Sequence, residues 1–398
     1  MEKDEADRGG VGVASGISAI AAETWDRCAN PPGTPFDPFV SHAFLTALEE
    51  SGSVGPGTGW QPAHLTLDDG ARGVTGVMPL YVKHHSQGEY VFDHGWADAY
   101  HRAGGRYYPK LLSAVPFSPV TGRRLLALPG TEAKKAEMLL ARGAIELARR
   151  SRLSSLHINF VDADTAARLE GQGFLHRTDQ QFHWPNRGYA TFEDFLGGLA
   201  SRKRKAVRKE RAEALASGLV VEHLTGSDIR ERHWDAMFDF YMDTGSRKWG
   251  RPYLNRRFFS VLGESMARHC LLILARRGET YVAGAFNMIG GDCLYGRYWG
   301  ASEHHPCLHF ELCYHQAIEW AIAHGLARVE AGAQGEHKLA RGYVPTTTHS
   351  LHWIADAGFR AAIADYLEKE RRHVSHTSEV LAGFAPYRKD AMPPDEQD

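Results

Sequence analysis

The chain has no long apolar run, and no stretch reaches the roughly 20 consecutive apolar residues that a membrane-crossing helix needs. Its first residues, Met1-Glu-Lys-Asp-Glu-Ala-Asp-Arg, are acidic and lack the apolar core of a secretory signal. Cysteine is scarce: the five thiols at 28, 270, 293, 307 and 313 are odd in number and follow no disulfide rhythm. The reading is a cytoplasmic protein in a reducing compartment, with no membrane insertion. No charge of one sign dominates either, because 46 Lys and Arg face 48 Asp and Glu for a net charge of -2. A protein that reads DNA carries a global basic excess, and this one does not. Any polyanion contact must come from a local cluster.

What is present is enough for two cores. The 398 residues exceed one ordinary domain, and 43% are hydrophobic and 11% aromatic. A small, polar, glycine-rich tail is expected over 1–25. Ser41 then caps an amphipathic helix, and strands follow at His64-Leu-Thr-Leu, from Val74 to Lys83, and at Glu89-Tyr-Val-Phe-Asp. A helix from Glu132 to Ser151 leads into the strand that ends at Val161. The second half replays this order, with strands at 270–275, 281–289 and 293–299, a helix over 309–324 and a strand at 327–331. Mixed α/β sheets are the fold class this pattern implies.

A gapless local match supports duplication. Gly173-Phe-Leu-His-Arg-Thr-Asp-Gln-Gln-Phe-His-Trp184 aligns with Gly342-Tyr-Val-Pro-Thr-Thr-Thr-His-Ser-Leu-His-Trp353, sharing the glycine, a threonine (Thr178, Thr347) and the closing His-Trp. The expected organisation is an N-terminal lobe over 26–187, a C-terminal lobe over 188–390 and a tail over 391–398. A cleft is expected between the lobes.

The second lobe opens with a basic helix. Thr191 and the acids behind it start it, and Leu196, Leu199, Val207 and Leu215 form its apolar line. Arg202, Arg204, Lys205, Arg208, Lys209 and Arg211 occupy most of the remaining circumference. So many cations side by side call for an anion, and phosphate is the obvious one. A solvated helix face is the alternative.

At this helix and at Tyr241-Met-Asp-Thr-Gly-Ser-Arg-Lys-Trp-Gly250, the sequence resembles the FemAB-like N-acyltransferases, a branch of the GNAT superfamily. The likeness continues through Leu294-Tyr-Gly-Arg-Tyr-Trp-Gly-Ala301 and Glu330-Ala-Gly-Ala-Gln-Gly-Glu-His-Lys-Leu-Ala-Arg-Gly342. In the N-terminal half, Gly88-Glu-Tyr-Val-Phe-Asp-His-Gly-Trp-Ala-Asp98 looks like the companion signature. The resemblance implies two GNAT-like lobes and transfer of an acyl or aminoacyl group to an amine, on a cell-wall precursor or a small metabolite. It implies no tightly bound cofactor, with acyl-CoA or aminoacyl-tRNA as co-substrate. Two departures bear on the donor. No heptad-patterned helical arm marks a transfer-RNA partner, and Arg297-Tyr-Trp-Gly300-Ala-Ser lacks the last small residue of a pyrophosphate loop.

Amide formation needs a base for the amine, a place for the oxyanion and a proton for the leaving group. Glu330 or Glu336 is the candidate base, Lys338 the electrostatic partner, and Tyr298 (or Tyr295) the proton donor. A structural ion pair between Glu330 and Lys338 is the alternative. Gln334, Arg297, Arg247 and Lys248 are candidate substrate contacts. Asp93, His94 and Trp96 are candidates for the acceptor pocket or, equally, for a capped turn. The His- and Cys-rich run from His304 to His315 sits on one loop and helix, and no metal is expected there. A non-catalytic protein that binds a phosphate-bearing ligand is the competing reading.

Overall fold

A computed structural model describes residues 9–216, 218–248, 252–332 and 335–388, with the side chains of 246–248 and 336 excepted. The chain divides into two compact units, neither continuous in sequence. Unit 1 comprises residues 9–179, Tyr253–Val261 and Thr348–Val374, and unit 2 comprises Gln180–Pro252, Leu262–Thr347 and residues 375–388.

Unit 1 holds two sheets. The first has the order β1-β3-β4-β7, with β1 at Gly10–Ala14, β3 at His64–Asp68, β4 at Val74–Met78 and β7 at Leu126–Ala127. The second runs β2-β5-β6-β8-β15, with β2 at Trp60–Pro62, β5 at Tyr81–Lys83, β6 at Lys110–Ser113, β8 at Ser155–Val161 and β15 at Val344–Ile354. Its pairs are antiparallel except β6 with β8, which are parallel. Helix α4 (Ala133–Arg150) buries Leu140, Ala141, Ala144 and Ala148 against Leu65, Leu111, Leu156, Ile158 and Leu351. These positions recur at helical spacing, so one stripe of α4 faces the strands. The other helices are α1 (Ala22–Ala29), α2 (His42–Glu50), α3 (His94–Arg102), α5 (Ala163–Glu170), α9 (Arg256–Met266, which ends in unit 2) and α12 (Ala357–Ala382, likewise). Ser41 caps α2 as expected, its side chain accepting from the Phe44 N–H at 3.2 Å.

Unit 2 is built on β10-β11-β12-β13-β14-β9: Val220–Thr225, Cys270–Arg277, Thr280–Ile289, Cys293–Ala301, Arg328–Glu330 and Leu175–Pro185. All pairs are antiparallel except β13 with β14. A helical run of α10 (Leu308–Phe310), a π-helical turn at Glu311–His315 and α11 (Gln316–Ala323) packs Leu308, Leu312, Ile318 and Ile322 against Leu271, Ile273, Leu294 and Val329. The opposite face carries α8 (Glu231–Lys248), which approaches over two glycines paired in register, Gly284 and Gly300. A Cβ on Gly300 would lie 2.0 Å from the Phe240 carbonyl oxygen, so this approach excludes any side chain there.

The repeated sequence thus forms equivalent strands. β9 pairs with β14 through Trp184–Val329, and β15 pairs with β8 through Trp353–Leu156. The half of β9 that bears His183-Trp184 belongs to unit 2, and the half of β15 that bears His352-Trp353 belongs to unit 1. Each unit is completed by a strand from the other half of the sequence.

Four local expectations are corrected. Val74 to Lys83 is two strands in different sheets, parted at Pro79, which has no N–H to give a ladder. Glu89 to Asp93 is a loop, because the acids at both its ends turn to a buried lysine. The helix that starts at Thr191 stops at Gly198, where Leu199 turns extended, and α7 (Ser201–Leu215) begins afresh after α6 (Phe192–Gly198). Leu196, Leu199 and Val207 are buried, whereas Leu215 is exposed. Order also begins at Gly10 rather than after residue 25. The tail 391–398 lies outside the described residues.

Candidate active site

The site in unit 2 begins where β13 and β14 part. Their parallel pairing covers only Cys293–Tyr295 with Arg328–Glu330, while β13 runs on to Ala301 beside β12. Beyond Glu330, β14 ends and Gly296–Ala301 continues along β12. The β12–β13 register slips between Phe286 and Asn287, and Arg297 is the extra residue of the bulge. Such bulges re-aim side chains beside functional sites.

Glu330 ends β14, only 4% exposed. Its Oε1 accepts from Arg328 Nε at 3.2 Å, and Arg328 Nη1 reaches Asp292 at 2.6 Å. Its Oε2 is buried without a hydrogen-bond donor among the described residues, and His183 Nε2 stands 3.9 Å away. Burial pushes the His183 imidazole below its usual range, so it is neutral, and it bonds Gln181 Oε1 at 3.1 Å. One oxygen of the carboxylate is therefore anchored and the other is free to accept.

Lys338 is also buried, and its Nζ donates to the Ala331 and Gly332 carbonyls at 2.6 and 2.8 Å. Burial lowers it to about 8. Glu330 pairs with Arg328 rather than with Lys338, so the expected alternative of a Glu330–Lys338 ion pair is not what the structure contains. Lys338 instead fixes the loop that leaves Glu330. Tyr298 lies on β13, stacked on Phe286 and edge-on to Tyr241, with the Arg297 guanidinium 5.6 Å from its ring centre. Tyr295 is buried, in register with Glu330.

Helix α7 packs against the turn that carries Lys338 (Glu336–Arg341). Glu210 of α7 accepts from Arg341 Nε and Nη2 at 3.0 and 2.8 Å, and Arg211 reaches Glu311 and Glu319. These contacts fix the inner face of the helix. At its start there is no side-chain cap and no acid in the first turn, so Arg202, Arg204 and Lys205 add their charge to the positive end of the helix dipole. That arrangement favours an anion. Arg208 is exposed and paired with Glu193 at 2.5 Å.

The remaining candidates separate. Asp93 and Trp96 are buried in unit 1, where Asp93 Oδ2 accepts from Lys110 and from the Tyr107 hydroxyl at 2.6 Å. His94 opens α3, exposed beside Phe92. Gln334 lies outside the described residues, as do the side chains of Glu336, Arg247 and Lys248. Arg328, His183, Gln181 and Asp292 were not anticipated, although the repeated His-Trp pointed to His183. Among the described residues no group of three or more His, Cys, Asp or Glu could hold a metal, and no helix is long and apolar enough to cross a membrane.

Known proteins extend the picture. FemX is 14% identical with a TM-score of 0.54, the match covering 87% of this chain and 98% of FemX. L-PGS from Bacillus licheniformis is 9% identical at a TM-score of 0.50, covering 84% of this chain and 98% of its own. A conserved protein of unknown function from Bacteroides thetaiotaomicron VPI-5482 is 12% identical at 0.52, covering 86% and 98%. At such identities these likenesses establish the fold. No curated protein matches the sequence. The family model for FemAB-like proteins of peptidoglycan biosynthesis and recognition matches residues 16–389. With nearly its whole length covered by that model, the chain belongs to the FemAB-like family.

Proposed function

We propose that unit 2 carries the transfer chemistry, moving an acyl or aminoacyl group from an anionic, activated donor to an amine. The observation that carries this reading is the Glu330 carboxylate at the parting of β13 and β14, one oxygen held by Arg328 and the other buried without a donor among the described residues. An ammonium brought to Oε2 gives up a proton there, and the freed amine attacks the donor carbonyl. A C–N bond forms and the carbonyl electrons move to oxygen, where the Lys338 ammonium stabilises the charge. The oxyanion then re-forms the carbonyl and expels the thiolate of an acyl-CoA or the ribose alkoxide of an aminoacyl-tRNA. Tyr298 protonates that leaving group and regains a proton as the new amide nitrogen sheds its second one, and the proton on Glu330 returns to solvent.

Arg202, Arg204, Lys205 and Arg208 hold the donor's phosphates in this reading, with Arg297 nearer the reacting carbon. Lys338 keeps the Ala331–Gly332 turn in place, and its third proton is available to the oxyanion. Glu336 is the alternative base, and Gln334, Arg247 and Lys248 complete the substrate contacts. The acceptor is the amine of a cell-wall precursor or of a small metabolite.

Mass spectrometry of candidate amines incubated with the protein and either acyl-CoA or aminoacyl-tRNA tests the reading. A mass increment on an amine with one donor class supports it and names the donor. No increment with either donor would leave a phosphate-ligand binder and overturn the proposal.

A further inference from the structure

Unit 1 repeats the strand pattern of unit 2 with other chemistry at the matching positions. Tyr295, Glu330 and His183 stand in register across β13, β14 and β9, and Leu112, His157 and His352 do so across β6, β8 and β15. Beside the histidines lies a cluster of four charged side chains, each at most 3% exposed: Lys83 of β5, Lys110 of β6, and Glu89 and Asp93 of the loop 84–93. None of them takes part in the transfer chemistry above.

The three protons of Lys110 all go to this loop, to Ser86 Oγ at 2.8 Å, to Glu89 Oε2 at 2.8 Å and to Asp93 Oδ2. One ammonium thus staples the loop at its start, middle and end. Burial works against both charges, yet Glu89 and Asp93 hold Lys110 above its usual range, and Lys110 and His157 hold Asp93 below its own. This pair stays ionised.

Lys83 and Glu89 are served less well. Among the described residues Lys83 Nζ has a single hydrogen-bond acceptor, the Gln87 carbonyl at 3.2 Å, and it rests on the Trp60 ring at 3.7 Å. Glu89 Oε1 is 3.8 Å from that ammonium and has no hydrogen-bond partner among the described residues. A buried ammonium and carboxylate so poorly solvated are costlier charged than neutral. The groups facing Glu89 are Lys83 from β5, Lys110 from β6, Asp93 from its own loop, and the phenols Tyr107 and Tyr108 ahead of β6. Lys83 faces Glu89, Lys110, Asp93 and His85.

We propose that the loop 84–93 is a proton-linked latch, closing with uptake of a proton at Glu89 in mild acid and with loss of one from Lys83 in mild alkali. Burial, aided by Asp93, raises closed Glu89 from 4.5 to about 7 against the pull of Lys110 and Lys83. Burial, aided by Lys110, lowers closed Lys83 from 10.5 to about 7 against Glu89 and Asp93. Between pH 4.5 and 7 the open loop binds fewer protons at Glu89, so opening grows as pH rises. Between 7 and 10.5 the open loop binds more at Lys83, so opening shrinks as pH rises. Each limb changes the opening equilibrium by up to about tenfold per pH unit. Opening is greatest near neutrality, frees the Phe92 carbonyl from Arg177, and brings the Glu89 and Asp93 carboxylates to solvent.

Hydrogen–deuterium exchange of the full chain at pH 5.5, 7 and 8.5, corrected for intrinsic rates, tests the latch. Peptides over 84–93 should open on the order of tenfold more at pH 7 than at either flank, while peptides over β11 report any global change. Glu89→Gln should remove the acid limb alone, and Lys83→Met the alkaline limb alone. Equal opening at all three values, or both limbs persisting in both variants, would overturn the latch. If neither variant folds, the profile of the unaltered protein decides by itself.

Discussion

Glu330→Gln is the sharpest perturbation of the proposed chemistry, because it keeps the shape of the side chain and removes its basicity. In the folded protein the amide oxygen can still accept from Arg328 Nε, at 3.2 Å in the native chain. Arg328 also keeps Asp292 and is a third exposed, so losing the ionic share of the pair costs about 1 kcal/mol of stability. The rate effect is larger. A positioned general base contributes about 100-fold to 10,000-fold, so kcat should fall at least about 100-fold. The KM for the donor should hardly change, since the donor is held by α7. The assay is amide formation followed by mass spectrometry at saturating donor between pH 6 and 9, with urea unfolding run in parallel. A variant that stays folded and works within threefold of the native rate at every pH would refute the role of Glu330.

Replacing Arg202, Arg204 and Lys205 together by alanine should raise the donor KM about 30-fold with kcat preserved, and should flatten the dependence of KM on salt; steady-state kinetics at two salt concentrations checks this. Gly300→Ala sets a methyl 2.0 Å from the Phe240 carbonyl oxygen, so α8 must move and unit 2 should lose about 3 kcal/mol in urea unfolding. Lys338 titrates at about 8 in the fold and at 10.5 when unfolded, so the unfolded chain binds more protons between those values. Stability should therefore rise across that window by about 2 kcal/mol more in the native chain than in Lys338→Met, measured by urea unfolding at pH 8 and 10.

The elements that sequence patterning reads well are those whose own period decides their fate. Helix α4 and strands β11 to β13 fall within a residue or two of their expected limits, because burial of one helix stripe or of both strand faces is written in consecutive residues. The repeated His-Trp likewise marked two equivalent strands. The loop 84–93 misled for the opposite reason. Tyr90, Val91 and Phe92 have strand character, but Glu89 and Asp93 belong to Lys110, whose place beside them is set by sheet pairing far along the chain. The break between α6 and α7 depends on a similar distant contact, since the N–H groups of Ala200 and Arg388 bond across to Pro386 and Gly198. At the site, the small residues after β14 pointed to Glu330 and Lys338, yet the partner of Glu330 proved to be Arg328, two residues before it. Alternation places both on one face of the strand, a relation visible in the sequence once the strand is drawn.

One unit is claimed to hold the handle for an anionic donor and the base for the amine together. The direct measurement is a crystal structure with a non-reactive analogue of the donor that proves competent in the transfer assay. The account predicts phosphate density at the start of α7, against Ser201–Lys205, with the carbonyl carbon at the edge of β13 within reach of Glu330. An analogue bound elsewhere, with α7 bare and Glu330 remote from the carbonyl, would contradict it.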